Sequence, residues 1–145
     1  MEKAIERTIR ESPLFKHLSE DQLVELIEAS SLLEPDAHTV IVHEDQPVEH
    51  LYIVERGRVH VATDGPSDAS VDLKTMGPGA YFGEVSLISG KAATATVKTG
   101  DPKTVLVAID RQYLGKLIED DSKIRRMLQS VTLARAKDTI GKVFK

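Results

Sequence analysis

The sequence predicts an α+β fold, in which an eight-stranded jelly-roll-like β-roll has helices before and after it in the chain. Two observations favour this class. Between residues 31 and 109, apolar residues recur mostly with a period of two, and turn residues interrupt them about every ten residues. In the flanking regions they recur at helical spacings, which is typical of amphipathic helices. Many short strands separated by turns indicate a sandwich or a barrel.

Length and composition indicate one globular domain. The chain has 145 residues, of which 41% are hydrophobic and 29% are charged, and this is enough for a single hydrophobic core. The absence of cysteine excludes disulfides and thiolate chemistry. No segment has the pattern of a signal peptide or a bilayer span, and the formal net charge of −4 argues against nucleic-acid binding. We therefore expect a cytoplasmic domain that binds neither nucleic acid nor membrane.

The first 30 residues predict N-terminal helices. Ile5 and Ile9 are four residues apart on a helix that Pro13 ends or redirects. Ser19 and Gln22 have the spacing of a capping box, so a second helix should begin there and end near residue 29. The residues on its inner face are Leu23, Leu26 and Ile27.

The middle of the chain predicts seven or eight short strands. The segments with the strongest alternation or β-propensity are residues 38–42, 51–54, 59–63, 71–76, 93–97 and 104–108.

A short helix is predicted inside this strand region, within residues 77–98. Gly77, Pro78 and Gly79 end one strand, and residues 84–88 are long enough for one or two helical turns facing the interior. A glycine before a helix start lets backbone approach a ligand closely, and the first N–H groups of a helix bind anions. An acid there is also favoured by the helix dipole. Glu84 therefore has a structural explanation as well as a functional one.

Residues 110–140 predict two C-terminal helices. Asp110 suits the start of the first, and residues 119–122 form a break and a new cap. The apolar faces of these helices are Tyr113, Leu114, Leu117 and Ile118, then Ile124, Met127, Leu128 and Val131. We treat residues 1–145 as a single domain, with N-terminal helices over 1–30, the β-roll over 31–109 and the C-terminal helices over 110–140.

The segment FGEVSLISGKAATATVK, residues 82–98, resembles the phosphate-binding cassette of cyclic nucleotide-binding domains. It matches the family pattern in length without a gap, and it is most like the version in cyclic-GMP-dependent kinases. The resemblance extends over roughly residues 13–135. It implies a regulatory ligand-binding module without catalytic activity, in which residues 84–88 are the cassette helix and the C-terminal helices act as hinge and lid.

The resemblance also implies a set of ligand-binding residues. Glu84 would accept a hydrogen bond from the ribose 2′-hydroxyl, and backbone N–H groups of the cassette helix would contact phosphate or sugar oxygens. Thr94 would contact the guanine and the phosphate, although an ordinary strand threonine explains this position equally well. The implied site residues are Phe82, Gly83, Glu84, Val85, Ser86, Ala93 and Thr94.

This sequence departs from the family pattern at three positions. Ala93 stands where the family has the Arg that holds the phosphate through charge-assisted hydrogen bonds. Lys91 is either a substitute charge or a solvated loop residue. Two family glycines are replaced, one by Asp45, which tolerates a left-handed backbone, and one near His38, for which the sequence offers no explanation.

We therefore expect a module from a signalling protein, such as the regulatory region of a cyclic-nucleotide-dependent kinase, with weakened affinity for cyclic GMP or cyclic AMP. Two alternatives stay open: a binder of uncharged purine nucleosides, and a non-binding domain that acts as a protein-interaction surface. The expected partners are a small purine ligand and a neighbouring regulatory or kinase domain.

Cofactor and enzyme functions are not expected. The five histidines include no His-x-His pair, which a metal-binding cupin would need. The sequence also has no P-loop, serine elbow or HExxH motif.

Overall fold

A computed structural model describes residues 2–64, 70–84, 86, 90–126 and 129–130 of the chain. The N-terminal part forms helix α1, a 3₁₀ helix and helix α2, and the rest forms eight strands followed by helix α3. The bounds are α1 Glu2–Glu11, the 3₁₀ helix Pro13–Phe15, α2 Glu20–Glu28, β1 Ser30–Leu33, β2 Val40–Val42, β3 His50–Arg56, β4 Val59–Asp64, β5 Ser70–Met76, β6 Tyr81–Phe82, β7 Thr96–Thr99, β8 Val105–Asp110 and α3 Arg111–Asp120.

The strands form two four-stranded sheets in the orders β1-β8-β3-β6 and β2-β7-β4-β5. Every pairing within them is antiparallel. Neighbours in each sheet are mostly distant in sequence, as in a jelly roll, and helices flank the strands in the chain. The predicted fold class is therefore confirmed.

Local capping signals place the N-terminal helices. The Ser12 side chain accepts a hydrogen bond from the Leu14 N–H. Pro13 occupies the first position of the 3₁₀ helix, where a backbone N–H would have no partner within the helix, so the missing N–H of proline costs nothing there. The Ser19 side chain accepts from the Gln22 N–H at 3.2 Å, and the Gln22 side chain accepts from the Ser19 N–H at 2.9 Å. This reciprocal pair is the predicted capping box.

Two hydrophobic clusters hold the domain together. The first joins the N-terminal helices and α3 to the outer face of the β1-β8-β3-β6 sheet, and it includes Ile9, Leu26, Ile53 and Leu114. The second lies between the two sheets and includes Val54, Val59 and Leu106, each fully buried. The central strands β3 and β8 supply both clusters, because successive side chains of a strand point to opposite faces.

Several predicted strand limits are wrong. Strand β7 begins at Thr96 rather than at Ala93, because the Ala93 backbone pairs with the loop after β2 instead of with a sheet neighbour. Strand β2 begins at Val40, since His38 has a φ of 61°, which is incompatible with a strand. Strands β1 and β6 were not predicted individually.

At the C-terminal end, α3 begins where predicted, since the Asp110 side chain accepts a hydrogen bond from the Gln112 N–H at 2.7 Å. Asp121 ends α3, and its side chain accepts from the Lys123 N–H at the start of the next helical residues, 122–126. Most of the predicted second helix, including Met127, Leu128 and Val131, lies outside the described residues. No helix in the described part of the chain is long and apolar enough to cross a membrane.

Candidate functional site

A cavity lies between the segment that begins at β6 and the inner face of the β2-β7-β4-β5 sheet. It holds about 620 Å³ of empty space, part of which is open to solvent. The described residues that line it are Val42, Val48, Val61, Leu73, Lys74, Met76, Phe82, Gly83, Glu84, Ser86, Ala93, Thr94, Ala95 and Val97.

The structure brings the predicted site residues together around this cavity. Phe82, Gly83, Glu84, Ser86, Ala93 and Thr94 all line it, whereas Val85 lies outside the described residues. Glu84 and Ser86 are helical and are 1% and 2% exposed. The Gly90 N–H donates to the Ser86 carbonyl at 2.9 Å, which is a helical bond four residues apart. Residues 85, 87 and 88 of the predicted cassette helix lie outside the described residues.

Close backbone packing positions Glu84. Phe82 pairs with Tyr52 on β3, and the two rings stack with centroids 5.0 Å apart. Gly83 then has a φ of 98°, and a Cβ at this position would lie 2.6 Å from the His50 carbonyl oxygen. Only glycine fits here, because it has no Cβ and adopts positive φ at little cost. The chain therefore turns directly from the sheet into the cavity wall, where Glu84 is buried.

Ala93 is fixed by a pair of backbone hydrogen bonds. Its N–H donates to the Gln46 carbonyl at 2.9 Å, and its carbonyl accepts from the Asp45 N–H at 2.8 Å. Asp45 makes this contact with a φ of 69°. Ala93 is only 6% exposed, so its methyl group forms part of the cavity wall and offers no charge there.

The backbone is left-handed at both positions where a family glycine is replaced, His38 and Asp45. His38 has a φ of 61°, and its N–H donates to the Thr99 carbonyl at 3.0 Å. Together with Asp45, it shows that these positions retain the conformation a glycine would favour. Asp and His are enriched among the non-glycine residues that adopt positive φ, so the fold accommodates both replacements.

Thr94 stands at the exposed rim of the cavity. The Thr63 hydroxyl donates to a Glu44 carboxylate oxygen and lies 3.4 Å from the Thr94 carbonyl oxygen. The Glu44 N–H in turn donates to the Thr96 hydroxyl at 3.1 Å. These bonds fix the backbone beside Thr94 and leave its side chain exposed at the cavity rim.

One charged residue of the cavity was not predicted from the sequence. Lys74 on β5 is half-buried and lines it, whereas Lys91 is exposed and does not. Lys74 is two residues before the buried Met76, so the period of two places both side chains on the same face. That spacing was the signal that could have identified it.

Helix α3 is tied to the wall of the cavity. The Arg111 guanidinium donates to the Val48 carbonyl at 3.3 Å, and the Arg111 N–H donates to the Glu49 carbonyl at 3.1 Å. Val48 itself lines the cavity. A displacement of the cavity wall at Val48 would therefore move or break the hydrogen bonds that hold the first turn of α3.

The fold and this cavity define a ligand-binding β-roll domain. A family model described as the cyclic nucleotide-binding domain matches residues 33–121. The chain belongs to that family, as the sequence resemblance predicts.

Individual relatives agree with this assignment. The chain is 30% identical over 130 residues to the cAMP-dependent protein kinase regulatory subunit of Aspergillus fumigatus, covering 83% of this chain and 31% of that protein. It is 25% identical over 132 residues to cGMP-dependent protein kinase 2 of Mus musculus, covering 90% of this chain and 17% of that protein. The chain thus spans less than a third of the length of these relatives.

A solved structure shows the same architecture. The regulatory domain of Toxoplasma gondii PKA, crystallised with cAMP, superimposes with a TM-score of 0.73 at 28% identity, over 79% of this chain and 43% of that one.

Proposed function

We propose that this domain is a cytoplasmic regulatory module that binds a ribose-bearing purine ligand in the cavity, and that its affinity for cyclic nucleotides is weakened. The observation that carries this proposal is that Glu84 and Ala93 are both buried and both line the cavity. The cavity therefore has a buried carboxylate, and a methyl group stands where the family has the guanidinium of the cassette Arg.

Glu84 supports binding of a ribose. An ionised carboxylate only accepts hydrogen bonds, so a ligand hydroxyl is a suitable partner for it. The remaining walls are mostly apolar and suit the faces of a purine ring. Loss of one hydrogen bond to a charged group costs about 1.5–3 kcal/mol, which sets the scale expected for this contact.

Ala93 supports the weakened affinity for cyclic nucleotides. A phosphate that enters an enclosed site loses hydration, and neutral donors offset only part of that loss. Without the charge-assisted bonds of an Arg, binding should be weaker by about 1.5–3 kcal/mol, or roughly one to two decades in Kd. An uncharged purine nucleoside avoids this loss, and the buried Ala93 methyl group is the observation that favours it as a second candidate.

The relatives suggest a context for the module. Two of them are named as a cAMP-dependent kinase regulatory subunit and a cGMP-dependent kinase. We propose by analogy that the domain works beside a neighbouring regulatory or kinase domain, with the α3 contact to the cavity wall carrying the signal, and that it catalyses no reaction itself.

Calorimetric titration with cyclic AMP, cyclic GMP, adenosine, guanosine and inosine tests the proposal. We expect saturable binding, a loss of about 1.5–3 kcal/mol in Glu84→Ala, and a gain of one to two decades for cyclic nucleotides in Ala93→Arg. Glu49→Ala is a matched control, because Glu49 is exposed and does not line the cavity.

Three outcomes would contradict parts of the proposal. Full binding by Glu84→Ala would place the ligand elsewhere. No saturable binding by any variant would favour the protein-interaction surface. Tight binding of cyclic nucleotides that Lys91→Ala abolishes would show that Lys91 replaces the Arg.

A further inference from the structure

We propose that a second, polar cavity binds a small organic cation through its ammonium group. This cavity, the α1 cavity, lies between α1, the end of β3 and the turn before β6, and it holds about 490 Å³ of empty space, part of which is open to solvent. Its polar side chains are those of Arg7, Thr8, Glu11, Ser12 and Glu55. Because it shares no described lining residue with the cavity beside Glu84, the inference does not depend on the proposed function.

The first observation is that two buried positions on the inner side of α1 carry hydroxyl groups. Ile5 and Ile9 pack into the hydrophobic cluster between α1 and the sheet. Thr8 and Ser12 follow at helical spacing and are also buried, at 9% and 4% exposed, but both line the α1 cavity. A buried hydroxyl costs free energy unless it is hydrogen-bonded, so this side of the helix needs polar partners.

The second observation is that the protein leaves these hydroxyls incompletely paired. A hydroxyl can donate one hydrogen bond and accept two. The Thr8 side chain makes none with any residue that the structure describes. The Ser12 hydroxyl accepts from the Leu14 N–H at 3.4 Å, which uses one of its acceptor sites. The α1 cavity therefore offers hydrogen-bonding groups to a molecule inside it.

The third observation is a buried carboxylate in the same cavity. The Glu55 side chain is 9% exposed, and its Oε1 accepts from the Arg7 guanidinium at 2.7 Å. Its Oε2 has no hydrogen bond within the described part of the chain. Along the β3–β8 ladder, Glu55 is an extra residue between two paired positions, which is a β-bulge. Such bulges redirect side chains next to binding sites.

The charge of the α1 cavity favours a cation. Glu11 and Glu55 are the acidic residues among its described lining and Arg7 is the basic one, so two negative charges face one positive charge. A ligand carboxylate would add a like charge beside Glu55. An apolar ligand would remove water from the hydroxyls without replacing its hydrogen bonds.

The available acceptors favour an ammonium in particular. An ammonium group brings one positive charge and three N–H donors. Glu55 Oε2, the Thr8 hydroxyl oxygen and the Glu11 carboxylate are three acceptors on the walls of one cavity. Hydrogen bonds to charged groups are stronger than neutral ones, and the burial of Glu55 reduces screening by solvent.

The turn before β6 leaves room for such a ligand. The Gly79 N–H donates to the Val54 carbonyl at 2.8 Å, which holds this turn against β3. A Cβ at Gly79 would meet no heavy atom within 4 Å. Gly79 and Val54 both line the α1 cavity, so a bound cation would contact the turn as well as the helix.

The test is a titration of the full chain with methylammonium, followed by amide NMR spectra at constant ionic strength. Tetramethylammonium is the matched probe, because it has the same charge but no N–H donor. Thr8→Val removes the hydroxyl at nearly constant shape, and Thr8→Ser keeps it. Glu55→Gln removes the buried charge, and Glu28→Gln is its control, since Glu28 is exposed on α2 and does not line the cavity.

We expect saturable shifts of the Thr8, Ser12 and Gly79 amide signals with methylammonium, with a Kd in the millimolar range because the probe is so small. Tetramethylammonium should bind at least about 10-fold more weakly, and Glu55→Gln should weaken methylammonium by about 10-fold. Thr8→Val should weaken it by about 3- to 10-fold. Thr8→Ser and Glu28→Gln should bind like the wild type.

The opposite results would overturn the inference. No saturable shift would show that the α1 cavity holds only water, and equal shifts with both probes would show general attraction of cations. Full binding by Thr8→Val would show that the hydroxyl does not contact the ligand, and this variant keeps the Arg7–Glu55 ion pair if Glu55→Gln does not fold. Failure of the chain to bind purine ligands would overturn the proposed function and leave this inference standing.

Discussion

A comparison of alanine substitutions at Gly79 and Gly83 should measure how much stability depends on the close backbone packing beside Glu84. Gly79 and Gly83 both have positive φ, 90° and 98°. A Cβ at Gly79 would meet no heavy atom within 4 Å, whereas a Cβ at Gly83 would lie 2.6 Å from the His50 carbonyl oxygen and 3.4 Å from a methyl group of Val48. Gly79→Ala therefore measures the backbone penalty alone, and Gly83→Ala measures that penalty together with the clash.

The expected magnitudes differ accordingly. A left-handed conformation costs a non-glycine residue about 1–2 kcal/mol, so both variants should lose that much stability. Gly83→Ala should lose about 1–3 kcal/mol more, which is the usual cost of overpacking, because a backbone carbonyl cannot move aside as a side chain can. The loss should appear as a lower free energy of unfolding.

Urea unfolding followed by circular dichroism checks this prediction. With an m-value of about 2 kcal/mol/M, the additional loss should lower the midpoint of Gly83→Ala by about 0.5–1.5 M relative to Gly79→Ala. Ligand binding should weaken only in Gly83→Ala, because this substitution displaces the backbone that carries Glu84. Equal midpoints for the two variants would refute the proposed close approach of residues 83 and 50.

Two further predictions concern stability. His38→Gly should stabilise the fold by about 0.5–1 kcal/mol in urea unfolding, since relief of the left-handed penalty exceeds the added chain entropy, and Asp45→Gly should gain less because Asp tolerates this backbone better. A destabilised His38→Gly protein would contradict the φ of 61°. Burial and a hydrogen bond from its hydroxyl to Glu25 raise the pKa of Tyr113 to about 12. This stabilisation is fully present below pH 10 and is lost as the pH rises to 12, because the folded chain retains the proton longer. Thermal unfolding over that range should be less pH-dependent in Tyr113→Phe, and identical profiles would contradict the contact.

Local patterns in the sequence were enough for much of the fold. The capping box of Ser19 and Gln22, the redirection at Pro13 and the start of α3 at Asp110 depend on residues within a few positions of one another. The cassette segment likewise carries its glycine turn and its acid, Glu84, within a continuous stretch. Such features are predictable because the groups that satisfy one another are neighbours in the chain.

The tertiary structure decided the features that depend on distant partners. Strand β1 exists through its pairing with β8, and β6 through its pairing with β3. Ala93 lies outside the sheet, because its backbone forms hydrogen bonds with Asp45 and Gln46 in the loop after β2. None of these pairings has a local sequence signal, since the four residues of β1, Ser-Ser-Leu-Leu, do not alternate, and a two-residue strand or a single backbone pair is too short to show a period.

For the site, the sequence by itself determined the presence of Glu84 and the replacement of the cassette Arg by Ala93, whereas the contact with the His50 carbonyl that requires glycine at position 83 is tertiary. Only the tertiary structure showed that a bulge at Leu73 on β5 lets two consecutive residues, Leu73 and Lys74, both line the cavity. It also showed that His38 and Asp45 hold left-handed backbone. The physical reason is that a bulge and a backbone twist arise from the register between strands, and the register is set by pairing across the sheet rather than by any single segment.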